Sequence, residues 1–286
     1  MATIAKTPAP TPRAAKKTAV KVASKTAKPA AVKPAVGKPV ARKPAAPKAT
    51  ATPQAATVRA SGKAHSVSAG ATELTLTSKN YSSWSLRGWL LTRFSGLPFT
   101  ENVLPPDDPS TRAEILLLSS SILVPSLVHN GVRVWDTLAI AEYLNEVCPE
   151  AQLLPADVAA RAHCRAISGE MHSGFSAMRS SLPMNLRAHF PKFKIWSRAQ
   201  ADIDRICAIW RECIEAYGGP FLFGEQRTIA DAMYAPVCTR FATYDVKLDK
   251  VCQAYCDLML AQPEVKDWIK AAESEPADID ELDVEF

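Results

Sequence analysis

The chain has 286 residues and a formal net charge of +5, but neither half of it carries that balance. Residues 1–70 hold 11 Lys and 3 Arg with no Asp, Glu, Phe, Trp or Tyr, and the remainder carries a net −9. No run of 18 apolar residues is present, so a membrane-spanning helix is not expected, and no apolar stretch follows the basic start as a secretory signal requires.

The first 70 residues are built from Ala, Lys and Pro, with Lys28-Pro29, Lys33-Pro34, Lys38-Pro39 and Lys43-Pro44 as recurring pairs. Each proline removes a backbone donor and interrupts a helix. Without large apolar side chains, ordering gains too little burial to offset roughly 1–2 kcal/mol of entropy per residue. A disordered tail is therefore expected over 1–70. Its charge of +14 would draw it weakly and unspecifically to nucleic acid or another polyanion.

From Thr72 the pattern changes. Glu73-Leu74-Thr75-Leu76-Thr77 alternates as a half-buried strand does. Leu86, Trp89, Leu90 and Phe94 then recur at helical spacing, and Ser95-Gly96 closes that helix. A second strand fits Phe99 to Leu104, and a short helix fits Arg112 to Leu118. Ser126 to Val134 reads as a hairpin turning at Asn130-Gly131, a pair suited to a tight primed turn. A helix from about Asp136 to Val147 follows. After Leu154-Pro155-Ala156 only helices are expected. One long helix is suggested by the stripe Ile167, Met171, Phe175, Met178 and Leu182. Others fit near 196–217, 229–243, 251–261 and 264–273, and Thr228 to Asp231 has capping-box form.

All seven cysteines lie at or after Cys148, with no Cys-x-x-Cys pair. Reduced thiols in a cytoplasmic protein fit that usage. Cys252 and Cys256 lie one helical turn apart without a nearby His, so they read as small core residues, and no metal site is expected.

Four motifs in order resemble the cytosolic glutathione S-transferase superfamily, across about 215 residues. Asn80-Tyr81-Ser82-Ser83-Trp84-Ser85-Leu86-Arg87 is similar to its strand-to-helix active-site turn. Leu123-Val124-Pro125-Ser126-Leu127 resembles its Val-Pro segment, Trp135 to Ile140 its acid-Ser-x-Ala-Ile pattern, and Phe221 to Gly224 with Thr228 to Asp231 its C-terminal capping motif. Glu170 to Phe175 and Leu182 to Asn185 further resemble a bacterial branch with a non-cysteine turn. The resemblance implies a thioredoxin-like α/β domain over 71–150 and an all-α domain over 151–286. It implies glutathione as co-substrate, a small electrophile as acceptor, and a homodimer. Transfer of glutathione to that electrophile is the leading activity. Peroxide reduction, isomerisation or a non-catalytic interaction module are the alternatives.

It also implies a site. A bound thiol must ionise, and the helix start near Ser83 offers unpaired amides and a favourable dipole. Ser82, then Ser83, are the hydroxyls placed to donate to the sulfur. Asn80, at the position that carries Ser or Cys in related classes, is a possible co-donor. Either serine could instead simply cap the helix. Val124 and Pro125 would meet the glutathione backbone through a cis bond, which sequence cannot show. Asp136 and Thr137 would take its γ-glutamyl end. Ser119 to Ser121 lack the Lys or Gln often found before that proline. His172, Ser176 and Arg179, on one helix face, would border the acceptor pocket, with Met184, Asn185 and Arg187 as weaker candidates.

Overall fold

A computed structural model describes residues 72–104 and 124–275. The basic tail, the short helix expected at 112–118 and the Ser119–Ser121 segment lie outside the described residues.

A four-stranded sheet is formed by β1 (Thr72–Leu76), β2 (Thr100–Val103), β3 (Ser126–His129) and β4 (Val132–Trp135), in the order β2-β1-β3-β4. β1 and β2 are parallel, with Leu74 opposite Glu101, and the other two pairings are antiparallel. The parallel pair needs a crossover, which α1 (Ser83–Phe94) supplies. The antiparallel pair β3–β4 closes over Asn130 and Gly131, whose φ angles of 50° and 80° are those of a primed turn. The alternation in β1 turns Leu74 and Leu76 into the core, both fully buried. This is the thioredoxin-like α/β unit, completed by α2 (Thr137–Val147).

The rest is helical: α3 (Val158–Ser173), α4 (Ser176–Ser181), α5 (Ser197–Tyr217), α6 (Ile229–Thr243), α7 (Lys250–Ala261) and α8 (Pro263–Glu273). α6 is central. Of its residues only Ala242 is exposed, and it packs against α1, α3 and α7. Its start is held by the capping box, with Asp231 also accepting from Leu222 N at 3.1 Å and Tyr255 Oη at 3.1 Å. α1 is buried on nearly every side, between α2 and α6, with α8 also against it. Each fully buried leucine there, Leu86, Leu90 and Leu91, contributes about 1.5–3 kcal/mol.

The long helix expected through 167–182 is two helices. The apolar stripe holds, since Ile167, Met171, Phe175, Met178 and Leu182 are all buried. The helical hydrogen bonding does not. α3 ends at Gly174, where a Cβ would lie 2.7 Å from the Glu170 carbonyl oxygen, and Phe175 takes a left-handed φ of 59°. Arg179 donates back to the Gly174 carbonyl at 3.0 Å and to that of Met171, stapling the break. His172, Ser176 and Arg179 therefore do not share a helix face.

Among the described residues no helix is long and apolar enough to cross a membrane. All seven cysteines are free and buried. No cluster of His, Cys, Asp or Glu among the described residues is arranged to hold a metal ion.

Candidate active site

The first turn of α1 and the first turn of α2 come together through one histidine. Trp84 stands in the first turn of α1, and the His172 ring packs edge-on to it with centroids 5.0 Å apart. The same imidazole bridges the start of α2: its Nε2 lies 3.1 Å from Asp136 Oδ2 and its Nδ1 3.3 Å from Thr137 Oγ1. Asp136 caps α2 with its other oxygen, accepting from Leu138 N at 2.8 Å and Ala139 N at 3.3 Å. The helix start thus keeps its acid at the end where the dipole favours it.

The Val124-Pro125 bond is cis, and Pro125 packs on the back of α1 at Gly88. A Cβ at Gly88 would sit 2.4 Å from Pro125 Cγ and 2.6 Å from its Cβ, so only glycine allows this approach. The glycine lets the Pro125 ring pack directly on α1.

The three turn residues do different work. Asn80 is 1% exposed, and its amide is a clamp between the two halves of the molecule. Its Nδ2 donates to Asn185 Oδ1 at 3.0 Å, and its Oδ1 accepts from Leu186 N at 2.7 Å and Arg187 N at 3.1 Å. Ser82 is the N-cap of α1: its Oγ accepts from Ser85 N at 3.2 Å and donates to Ser85 Oγ at 2.9 Å. Ser83 is buried, and its Oγ accepts from Arg240 Nη2 at 3.2 Å and Arg87 Nη1 at 3.4 Å while donating to no described residue. Ser82 thus donates its proton to Ser85 Oγ, whereas the Ser83 proton has no acceptor among the described residues.

The turn ahead of these serines is held from the far end of the chain. The Glu275 carboxylate accepts from Ser78 Oγ at 2.8 Å and Asn80 N at 3.1 Å, and Trp268 Nε1 donates to the Lys79 carbonyl at 2.9 Å.

Arg87, Arg179 and Arg240 surround Ser83 and Trp84. The guanidinium groups of Arg87 and Arg179 lie 4.8 Å and 4.9 Å from the Trp84 ring centre. Arg87 Nε donates to the Met233 carbonyl at 2.8 Å, and Arg240 donates to the carbonyls of Leu182 and Arg179. Among the described residues, every acceptor of these three groups is a carbonyl, a hydroxyl or a thioether, never a carboxylate. Burial and the mutual repulsion of like charges push the Arg87 guanidinium well below its ordinary range, and bring that of Arg240 down to about 10. Burial alone lowers Arg179. Two buried guanidinium groups and a half-buried one, at a helix N-terminus and without an acid partner among the described residues, favour an arriving anion.

Of the acceptor-side candidates, His172 and Arg179 reach this cluster, whereas Ser176 is exposed on the far side of the helix break. Met184 is buried core, and Asn185 is the partner of Asn80. The residues that sequence reasoning passed over are Arg240 and Glu275, 157 and 195 positions from the turn residues they bind. Arg87 stood in the motif, and its spacing of four from Ser83 was the available signal for their contact.

The model of the glutathione S-transferase N-terminal domain matches residues 81–147, and that of the C-terminal domain matches 193–271, together a little over half of the chain. Among curated proteins the chain is 28% identical to a probable maleylacetoacetate isomerase of Caenorhabditis elegans over 127 residues, 44% of this chain and 59% of that protein. It is 27% identical to the maleylacetoacetate isomerase of Rattus norvegicus over 125 residues, 44% of this chain and 56% of that one. The chain thus spans a little over half the length of these relatives. Among solved structures, a Burkholderia glutathione transferase homologue with bound glutathione superposes with a TM-score of 0.54 at 23% identity, covering 72% of this chain and 99% of its own. The maleylacetoacetate isomerase of Anaeromyxobacter dehalogenans superposes with a TM-score of 0.53 at 20% identity, covering 73% of this chain and 95% of its own. With both family domains matched in order on a thioredoxin-like unit followed by helices, the chain belongs to the glutathione S-transferase superfamily.

Proposed function

We propose that the chain is a glutathione-dependent enzyme that presents the thiolate of glutathione to a small electrophile. The observation that carries this reading is the meeting of Trp84, from the first turn of α1, with Asp136 and Thr137, from the first turn of α2, on the single side chain of His172. A tripeptide held at both turns has its γ-glutamyl ammonium beside the Asp136 carboxylate and its sulfur over the start of α1. The Val124-Pro125 segment, whose proline packs on Gly88, would offer its backbone edge to the tripeptide. Ser83 then supplies the hydrogen bond to the sulfur anion, with the amides of the first turn and the three guanidinium groups adding to its stabilisation. Ser82 keeps the helix start in register. No cysteine lies in the turn to form a mixed disulfide.

Conjugation to an electrophile is the leading activity. Isomerisation through a transient thiol adduct is the second reading, favoured by the maleylacetoacetate isomerases among the chain's relatives and structural neighbours. The test is turnover of the full chain with a chloronitrobenzene, a maleyl diacid and a hydroperoxide, each with and without glutathione. Glutathione-dependent turnover of the first supports conjugation, and of the maleyl compound supports isomerisation. No turnover of any, with glutathione bound, would leave a binding module.

A further inference from the structure

We propose that Arg87 and Arg240 are positioning residues for the thiol chemistry, acting through Ser83 by holding both lone pairs of its hydroxyl so that its one proton is left for the sulfur. The inference rests on the proposed function and deepens it by assigning the groups that set the thiol's acidity.

A serine hydroxyl has two acceptor sites and one proton. At Ser83 both acceptor sites face cations, Arg240 Nη2 at 3.2 Å from α6 and Arg87 Nη1 at 3.4 Å from the next turn of α1. Its proton has no acceptor among the described residues, although the residue is only 6% exposed. Ser82 beside it makes the contrasting case, since its proton goes to Ser85. A hydroxyl that accepts from two cations is polarised and becomes a stronger donor, because hydrogen bonds in a chain reinforce one another at low local dielectric.

Both arginines are anchored for this role. Arg87 donates through Nε to Met233 and spends Nη1 on Ser83, with its guanidinium carbon 4.8 Å from the Trp84 ring centre. Arg240 spends Nη1 on two carbonyls of the α4 end, Arg179 and Leu182, which leaves Nη2 for Ser83. Neither guanidinium can swing away without abandoning a buried carbonyl, so the hydroxyl's orientation is imposed rather than sampled. Two buried positive charges and a half-buried third stand here without a carboxylate among their hydrogen-bond partners in the described residues. The thiolate of the bound tripeptide is the anion that completes the cluster.

The experiment follows the pKa of the bound thiol by its ultraviolet thiolate absorbance, on the full chain saturated with glutathione, in the wild type and in Ser83→Ala, Arg240→Gln, Arg240→Lys and the Ser83→Ala/Arg240→Gln double variant. Ser83→Ala and Arg240→Gln are each expected to raise that pKa by about one unit, a tenfold change in the ionisation constant or about 1.4 kcal/mol. Arg240→Lys, which keeps the charge but loses the fork, should recover part of the shift. The double variant should resemble Ser83→Ala alone, because the two act in series. If Arg240→Gln does not fold, Arg240→Lys and Ser83→Ala carry the comparison. Additive shifts in the double variant would mean that Arg240 acts by its field and not through Ser83, which overturns the proposal. So would a bound thiol that ionises readily in the wild type with a pKa unmoved in Ser83→Ala. If the wild type binds no glutathione, the proposed function itself fails, and that outcome is distinct from both.

Discussion

The starts of α1 and α6 are both short polar turns leading into buried helices, yet they are held in opposite ways. At α6 the side-chain bonds that form the cap are close in sequence: Asp231 accepts from groups 3, 9 and 24 positions away and Thr228 answers it within the same turn, although Ile229 N also reaches back to the Leu153 carbonyl and the Cys164 thiol to Thr228 Oγ1. At α1 the local contacts are the Ser82–Ser85 cap, the Ser82 and Tyr81 amides on Ser78, and Arg87 on Ser83. The rest of that turn is bound by Asn185, Arg240, Trp268 and Glu275, between 105 and 197 positions away. A local start builds itself as the helix forms. A start assembled from distant elements exists only in the finished fold, so its hydroxyls and amides can be aimed at something other than the chain. The difference separates a helix cap that stabilises from one that also presents chemistry.

The comparison can be broken first at its stabilising end. Replacing Asp231 by alanine strips the acceptor from Thr228 N, Thr228 Oγ1, Leu222 N and Tyr255 Oη inside the core. At about 1–3 kcal/mol for each buried donor left unpaired, a loss of more than about 3 kcal/mol is expected in urea unfolding. A loss below about 1 kcal/mol would show that the cap is dispensable.

Gly88→Ala comes next. Its Cβ collides with the Pro125 ring, and overpacking of this kind costs about 1–3 kcal/mol. The shift it forces on Val124 should also weaken glutathione binding about tenfold by calorimetry. Unchanged affinity in a folded variant would detach Val124 from the site.

The smallest effect sharpens the contrast within α1. Ser82→Ala removes a cap worth about 1 kcal/mol of stability and should leave the bound thiol's pKa where it was. If that pKa rises in Ser82→Ala, the assignment of separate duties to the two serines is wrong.

Much of this architecture is readable before folding because its signals are local. The alternation of β1, the Asn130-Gly131 turn and the Thr228–Asp231 box each lie within a few residues, and each marks an element that the structure contains. The break at Gly174-Phe175 escapes such reading, because Phe175 stays buried in a left-handed conformation and the apolar period runs through it uninterrupted. Site roles escape for a different reason. Ser82 and Ser83 are the same residue type, side by side, and they differ in their partners, Ser85 for one and Arg87 with the distant Arg240 for the other. Asn80, aligned by motif with a sulfur donor, is drawn into a clamp by Asn185 and the backbone that follows it.

The claim on which the account turns is that a thiol becomes a thiolate at the first turn of α1. Calorimetric titration of the full chain with reduced glutathione, repeated near neutral pH in buffers of different ionisation heat, measures it directly. A free thiol ionises near about 8.5, so a bound thiol with a lower pKa must release a fraction of a proton on binding between the two values, and affinity must rise with pH from the bound value up to about 8.5. Saturable binding at millimolar concentration or tighter, with proton release, is the expected result. No binding, or binding that leaves the proton on the sulfur, would contradict it.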